Sequence, residues 1–322
     1  MPFNFFICEV TGECIEFDAC IHCAKQGALP GCQMSPAILF GITQNQRPNG
    51  FSEEKSRKAW KGTATIDHAV SVTELLSCPR KKKLKDQVDW GDKPSSLYWA
   101  YRGNIFHGAA EDYAATDETV ICEERFFWFF KFQGKIVALS GQPDLLIERD
   151  AGFHILDYKT IKQIPGKTYR HICTHTGAIM YDSPWRMKGK QANCKHCNTK
   201  HSVGEIEILQ LPPQPRGSHI EQIQLYSLLT AQADKPAVSA EVVYMDMGSA
   251  LRIPIPLWDR QDRIALLRKR LALVIQDDPD IVRNSDDLWQ CDYCPVRTDC
   301  EYQQGGPVGK AILKSEAEAV IA

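Results

Sequence analysis

Residues 140–160, SGQPDLLIERDAGFHILDYKT, constrain this chain more than any other stretch. Apolar, β-favouring residues (Leu145, Leu146, Ile147, then Phe153, Ile155, Leu156) flank the polar cluster Arg149-Asp150-Ala151-Gly152. Two paired strands around a turn have that pattern. A four-residue turn sets Asp144 opposite Asp157. A turn closed on Ala151-Gly152 would instead set Lys159 opposite Asp144 and leave Asp157 diagonal. Cross-strand partners share a face of a sheet, as do residues two apart on one strand, so either register projects Asp144, Asp157 and Lys159 together. Only a slip by one residue would separate them.

Two carboxylates and an ammonium at one spot suit phosphodiester hydrolysis with a divalent metal. Hard oxygens hold Mg²⁺ or Mn²⁺, the metal stabilises charge and acidifies a water, and the ammonium supports the developing negative charge. A salt-bridged strand pair is the plainer alternative.

Other motifs accompany the hairpin. Upstream, Gly103-Asn-Ile-Phe-His107 lies in a stretch with helical spacing that also carries Glu111 one turn on. Downstream, Gln222-Ile-Gln-Leu-Tyr226 sets Gln222 and Tyr226 on one helix face. Cys78 ends an expected helix that starts with Ser71 as N-cap and Glu74 as its capping-box partner. Near the C-terminus stands Cys291-x2-Cys294-Pro-x4-Cys300. In this order the set resembles the RecB-like branch of the PD-(D/E)XK nucleases, and within it the iron-sulfur subset that includes the CRISPR-associated adaptation exonucleases and the nuclease domains of AddB-type helicases. The resemblance covers roughly residues 68 to 303. It implies that His107, Asp144, Asp157 and the Tyr158 carbonyl bind the metal, that Lys159 assists the water, and that Gln222 and Tyr226 orient lysine or substrate. It also implies that Cys78, Cys291, Cys294 and Cys300 hold a 4Fe-4S cluster, although zinc suits the same four sulfurs.

Thirteen cysteines in 322 residues point further. Six fall into Cys-x2-Cys pairs and the total is odd, which favours metal sites in a reducing compartment over disulfides. Residues 1–42 form a Cys-rich module with little core of its own. There Cys8, Cys20, Cys23 and Cys32 would surround one Zn²⁺, with Cys14 spare, and the metal would supply folding free energy. Residues 43–67 read as a linker or surface loop. Residues 161–216 are a Cys/His-rich insertion directly after the hairpin. Cys173, Cys194 and Cys197 with His175 would make a second zinc site there, His171 and His201 being alternative fourth ligands. Residues 304–322 are a tail. Reduced thiols without metal are the alternative at both zinc sites.

The remaining pattern is α/β or α+β: a mixed central sheet flanked by helices, with a restriction-endonuclease-like core. Residues 125–159 would form a mostly antiparallel meander, its aromatic run serving as sheet core. A helix at about 217–233, strands at 238–247 and 250–256, and a helix from Trp258 to Gln276 would follow. The formal net charge of -2 means that nucleic acid would be held by local patches. Arg80, Lys81, Lys82, Lys83 and Lys85 are the candidate patch, unless they are only a solvated face. No stretch approaches a membrane span and the start lacks a secretory signal, so we expect a cytoplasmic protein.

The expected function is a Mg²⁺- or Mn²⁺-dependent deoxyribonuclease acting from ends on single-stranded DNA, with a possible protein partner in adaptation or recombination. Two rivals are a non-catalytic DNA-binding adaptor on a nuclease fold and a redox sensor gated by the cluster.

Overall fold

The computed structural model describes residues 3–44, 51–88, 90–187, 191–246, 248–275, 290, 291, 294–297, 299 and 300, with backbone only at 3, 4, 51–53, 86, 99, 106 and 107. The expected tail at 304–322 lies outside the described residues.

The N-terminal part runs β1 (Phe3–Ile7), β2 (Cys14–Glu16), α1 (Phe17–Lys25), α2 (Pro36–Gln44) and α3 (Phe51–Ala59). It shares its sheet and core with later residues. β1 pairs in parallel with β4 (Trp90–Asp92), and Phe6, Leu39 and Ile42 pack with Leu97, Tyr98 and Tyr101. The apolar surface missing from residues 1–42 is thus provided by residues 90–101, a complement no local composition reveals. Within the expected linker, Phe51–Ala59 is helical and contacts strands β3 and β7, defined next.

β3 (His68–Ser71) leads into α4 (Val72–Leu76) and α5 (Pro79–Gln87). The expected capping box is present: Glu74 N–H donates to Ser71 Oγ at 3.2 Å, and Ser71 N–H to Glu74 Oε2 at 2.8 Å. These bonds satisfy amides that a helix start leaves without intrahelical partners. Next come β4 and the long α6 (Pro94–Ala114), then β5 (Val120–Cys122), β6 (Phe126–Phe132), β7 (Lys135–Gly141), β8 (Leu145–Arg149) and β9 (Gly152–Thr160).

The expected meander is in fact two hairpins in two sheets. β7 pairs with β6 and, in parallel, with β3. β8 and β9 belong to a five-stranded sheet of order β16-β15-β9-β8-β5. The Gln142-Pro143 break between β7 and β8 carries the chain from one sheet to the other, because proline provides no ladder amide.

The insertion holds β10 (Thr168–Cys173), β11 (Ile179–Ser183), β12 (Gln191–Cys194), β13 (Thr199–Ser202) and β14 (Ile206–Leu211). They form a β11-β10-β14 sheet and a separate β12-β13 hairpin. α7 (Gly217–Gln232), β15 (Ala237–Met245), β16 (Ala250–Pro254) and α8 (Arg260–Val274) follow, close to the expected bounds. β15 runs parallel to β9. The main core gathers Val70, Leu75, Leu139, Leu146, Ile155, Leu225 and Tyr244 between sheets and helices. Fold class is the mixed α/β architecture that the strand and helix pattern implies.

Candidate active site

The β8–β9 hairpin closes through Arg149 opposite Gly152, and every pair down to Leu145 opposite Leu156 keeps that register. One step further sets Asp144 against Asp157, the first of the two registers considered. Gly152 has φ +141, which an L side chain rarely adopts.

Strand alternation divides β9. Ile155 joins the core that contains Ile223, Leu225 and Tyr226 of α7, and Asp157 and Lys159 share its parity. Leu156 and Tyr158 face the other way, towards Ala110 and Ala114 of α6.

Asp144 and Asp157 are both buried. Asp144 Oδ2 accepts the Tyr158 N–H at 2.6 Å, which fixes one carboxylate against the backbone beside the other. The Lys159 ammonium lies 2.5 Å from Asp157 Oδ2. Asp157 Oδ1 is buried and has no hydrogen-bond partner among the described residues. Burial opposes the Lys159 charge, yet Asp157 first and then Asp144 outweigh it and raise the ammonium pKa above the ordinary value. Lys159 is therefore a fixed cation near neutral pH.

α7 supplies the lid of this cluster. Gln222 Nε2 donates to Tyr226 Oη at 2.8 Å. Burial, then Asp157, pushes the Tyr226 hydroxyl well above its usual range, so it stays protonated. Gly141 gives the ring its place: a Cβ there would stand 3.0 Å from Tyr226 Cε1 and 2.5 Å from Leu229 Cδ1.

His107 lies on α6, but its side chain is outside the described residues. Its helix is near the site, since a Cβ on Gly103 would meet Thr160 Oγ1 at 3.3 Å. Burial first, then Glu123, Glu111 and Asp144, pushes the Cys122 thiol up to about 11.

Sequence reasoning missed several neighbours. Arg125 donates to Gln142 Oε1 at 2.7 Å, and Gln142 Nε2 to Glu123 Oε2 at 2.6 Å, bracing the turn before Asp144. His219 Nδ1 is 2.8 Å from Tyr244 Oη. Burial, Lys159 and Arg216 push His219 down to about 3, so it is neutral. Gln142 stood inside the quoted motif, but no local pattern joined it to Glu123.

Cys78 N–H donates to Gln290 Oε1 at 3.3 Å, beside Cys291. Burial, and the neighbouring Cys78 and Cys300, raise the Cys294 thiol pKa. Cys294 thus has Cys78 and Cys300 as neighbours, Cys78 from more than two hundred positions away, and Val296 and Cys300 pack on Leu84 and Trp90. Cys8, Cys20, Cys23 and Cys32 line a cavity of about 40 Å³, while Cys14 is exposed. Burial first, then Cys32, Cys8 and Cys23, pushes the Cys20 thiol up to about 11.

In the insertion the ligand set changes. Cys173, Cys194 and Cys197 group with His201, and His175 does not join them. Cys194 pairs with Thr199, so strand alternation carries His201 to the Cys194 face. His175 instead sits exposed in the turn after β10. His171 is buried and stacks on Tyr181 at 4.4 Å.

In the candidate basic patch on α5, Lys85 sits over the Trp90 ring at 3.4 Å and Lys82 reaches Ala69 O at 3.5 Å. Arg80, Lys81 and Lys83 are also only half exposed. No helix among the described residues is long and apolar enough to cross a membrane.

No curated protein matches the chain. A solved structure titled "Crystal structure of SSO0001" matches over 78% of this chain and 94% of its own, at 17% sequence identity and a TM-score of 0.45. Residues 117–301 match the PD-(D/E)XK nuclease superfamily, a span that takes in the Asp144–Asp157–Lys159 hairpin, the Gln222–Tyr226 helix and the last three cysteines. That span is more than half of the 322 residues, and the chain belongs to the PD-(D/E)XK nuclease superfamily.

Proposed function

We propose that the chain is a Mg²⁺- or Mn²⁺-dependent deoxyribonuclease that hydrolyses phosphodiester bonds from the ends of single-stranded DNA, in CRISPR adaptation or recombination. Family membership implies metal-dependent nuclease chemistry on DNA. One observation carries the site assignment: a buried carboxylate oxygen, Asp157 Oδ1, without a hydrogen-bond partner among the described residues, beside a second buried carboxylate and a fixed ammonium. A buried unpaired carboxylate is costly unless a cation satisfies it, so the donor set fits a hard divalent metal.

When bound, the metal lowers the pKa of a water and stabilises charge on the phosphoryl oxygens. Asp144, Asp157, His107 and the Tyr158 carbonyl would hold it. Lys159, kept cationic by both acids, holds its charge where negative charge develops. Gln222 and Tyr226 fix the lysine side of the pocket through their shared hydrogen bond. Cys78, Cys291, Cys294 and Cys300 would hold a 4Fe-4S cluster that clamps residues 68–303 into one nuclease core. Cys8, Cys20, Cys23 and Cys32 would hold zinc in the first 42 residues. Arg80, Lys81, Lys82, Lys83 and Lys85 would make the phosphate contacts.

The test is anaerobic purification with iron, sulfide and zinc quantified, then digestion of 5′- and 3′-labelled single strands with Mn²⁺ or Mg²⁺. Mononucleotide release by wild type and none by Asp157→Asn is expected. Intact substrate after wild-type digestion sinks the nuclease reading, and internal cuts sink the exonuclease part. Iron retained in Cys78→Ser sinks the cluster assignment.

A further inference from the structure

The insertion contains the same turn twice. After β10, the Cys173 sulfur accepts hydrogen bonds from the His175 and Thr176 N–H groups. After β12, the Cys194 sulfur accepts from the His196 and Cys197 N–H groups. In both cases the donors stand two and three residues on. In both, the fourth residue on has positive φ, Gly177 at 68° and Asn198 at 53°. Thr176 therefore occupies in the first turn the place that Cys197 occupies in the second. The Thr176 hydroxyl hydrogen-bonds the Cys173 sulfur as well.

The sulfurs of the two turns meet around His201. Cys173 Sγ is 3.9 Å from Cys197 Sγ and 3.3 Å from His201 Nε2, and Cys197 Sγ is 3.0 Å from His201 Nε2. All four ligand atoms, Cys194 included, lie within 4.8 Å of one another. A tetrahedral zinc with its usual bond lengths sets sulfurs about 3.8 Å apart and sulfur about 3.5 Å from nitrogen. Cys173, Cys194 and His201 are buried, and Cys197 is half buried.

The geometry points to one structural Zn²⁺ held by Cys173, Cys194, Cys197 and His201 between two matching turns, with His201 replacing the cysteine that the first turn lacks. The four positions are filled by protein, which leaves the metal no open site for chemistry. Zinc on three thiolates and one imidazole joins the β10–β11 and β12–β13 hairpins, which do not pair with each other. The first strand of the inserted segment begins eight residues after Lys159's strand and its last strand ends six residues before α7, so its ends are tied to both walls of the active site.

The test counts zinc in the full-length protein. His201→Ala is expected to lose one equivalent relative to wild type, while His201→Cys keeps it because a thiolate takes the imidazole's place. His175→Ala keeps it too. Thr176→Cys combined with His201→Ala regains it, since the first turn then presents its own second sulfur. Cobalt(II) in place of zinc should give thiolate charge-transfer bands in wild type that change on His201→Cys. Undiminished zinc in His201→Ala, lost zinc in His175→Ala, or cobalt spectra identical in wild type and His201→Cys would each overturn the ligand set. An empty double variant would overturn the equivalence of the two turns. None of these readouts depends on nuclease activity.

Discussion

The Lys159 ammonium lies 2.5 Å from Asp157 Oδ2, a contact made possible by their separation of two positions on one strand. Both are then presented to the same face, and β9 alone sets two of the three groups the chemistry needs. Asp144 is added by the hairpin and pinned by the Tyr158 amide.

Asp157→Asn preserves shape and removes the charge. Cleavage is expected to fall by about 10²–10³-fold or more, the loss typical of deleting a group that stabilises transition-state charge. Lys159→Met should fall comparably. Single-turnover rates on end-labelled single strands, with circular dichroism to show folding, check both; rates within a factor of three of wild type would refute the assignment.

Tyr226→Phe deletes the acceptor of the Gln222 amide in a buried position. Stability should drop by about 1 kcal/mol, the net value of a buried hydrogen bond. Urea unfolding of wild type, Tyr226→Phe, Gln222→Leu and the double variant reads the coupling. Strict additivity would mean that the pair does not interact.

His219 carries a pH dependence. Its folded pKa is depressed to about 3 by burial, Lys159 and Arg216, while the Tyr244 hydroxyl faces its Nδ1. An unfolded imidazole titrates near about 6.5. The folded state thus refuses a proton that the unfolded state accepts, so this contribution to stability is whole above pH 6.5 and is lost as pH falls towards 3. The melting temperature of wild type should decline from pH 6.5 to pH 5 more steeply than that of His219→Gln. Parallel profiles would refute it.

Gly152→Ala places a Cβ 2.7 Å from Pro236 O and 2.8 Å from Val238 Cγ1, at a φ of +141. A destabilisation of about 1–3 kcal/mol is expected from the strained backbone alone. Since this turn sets the register of the hairpin, activity at permissive temperature should fall as well. Thermal melts and cleavage rates of the variant check both effects; a wild-type melting temperature would show that the turn relaxes freely.

Local patterns carried the reading wherever a short period or a turn rule decides the structure. Alternation around Arg149–Gly152 placed Asp144, Asp157 and Lys159 on one face, and Ser71 with Glu74 marked a helix start, because both depend on neighbours within a few residues. The same rule named Cys173, Cys194 and Cys197. It put His175 with them, His171 and His201 being alternatives, because His201 reaches them only through the pairing of β12 with β13. Tertiary structure alone decided that β7 takes β3 rather than β8 as its second partner, that β9 adopts β15 in parallel, and that His219 and Tyr244 stand beside Lys159. Those choices compare the burial and pairing of surfaces far apart in the chain, and a sum over distant partners is not written in any one stretch of residues.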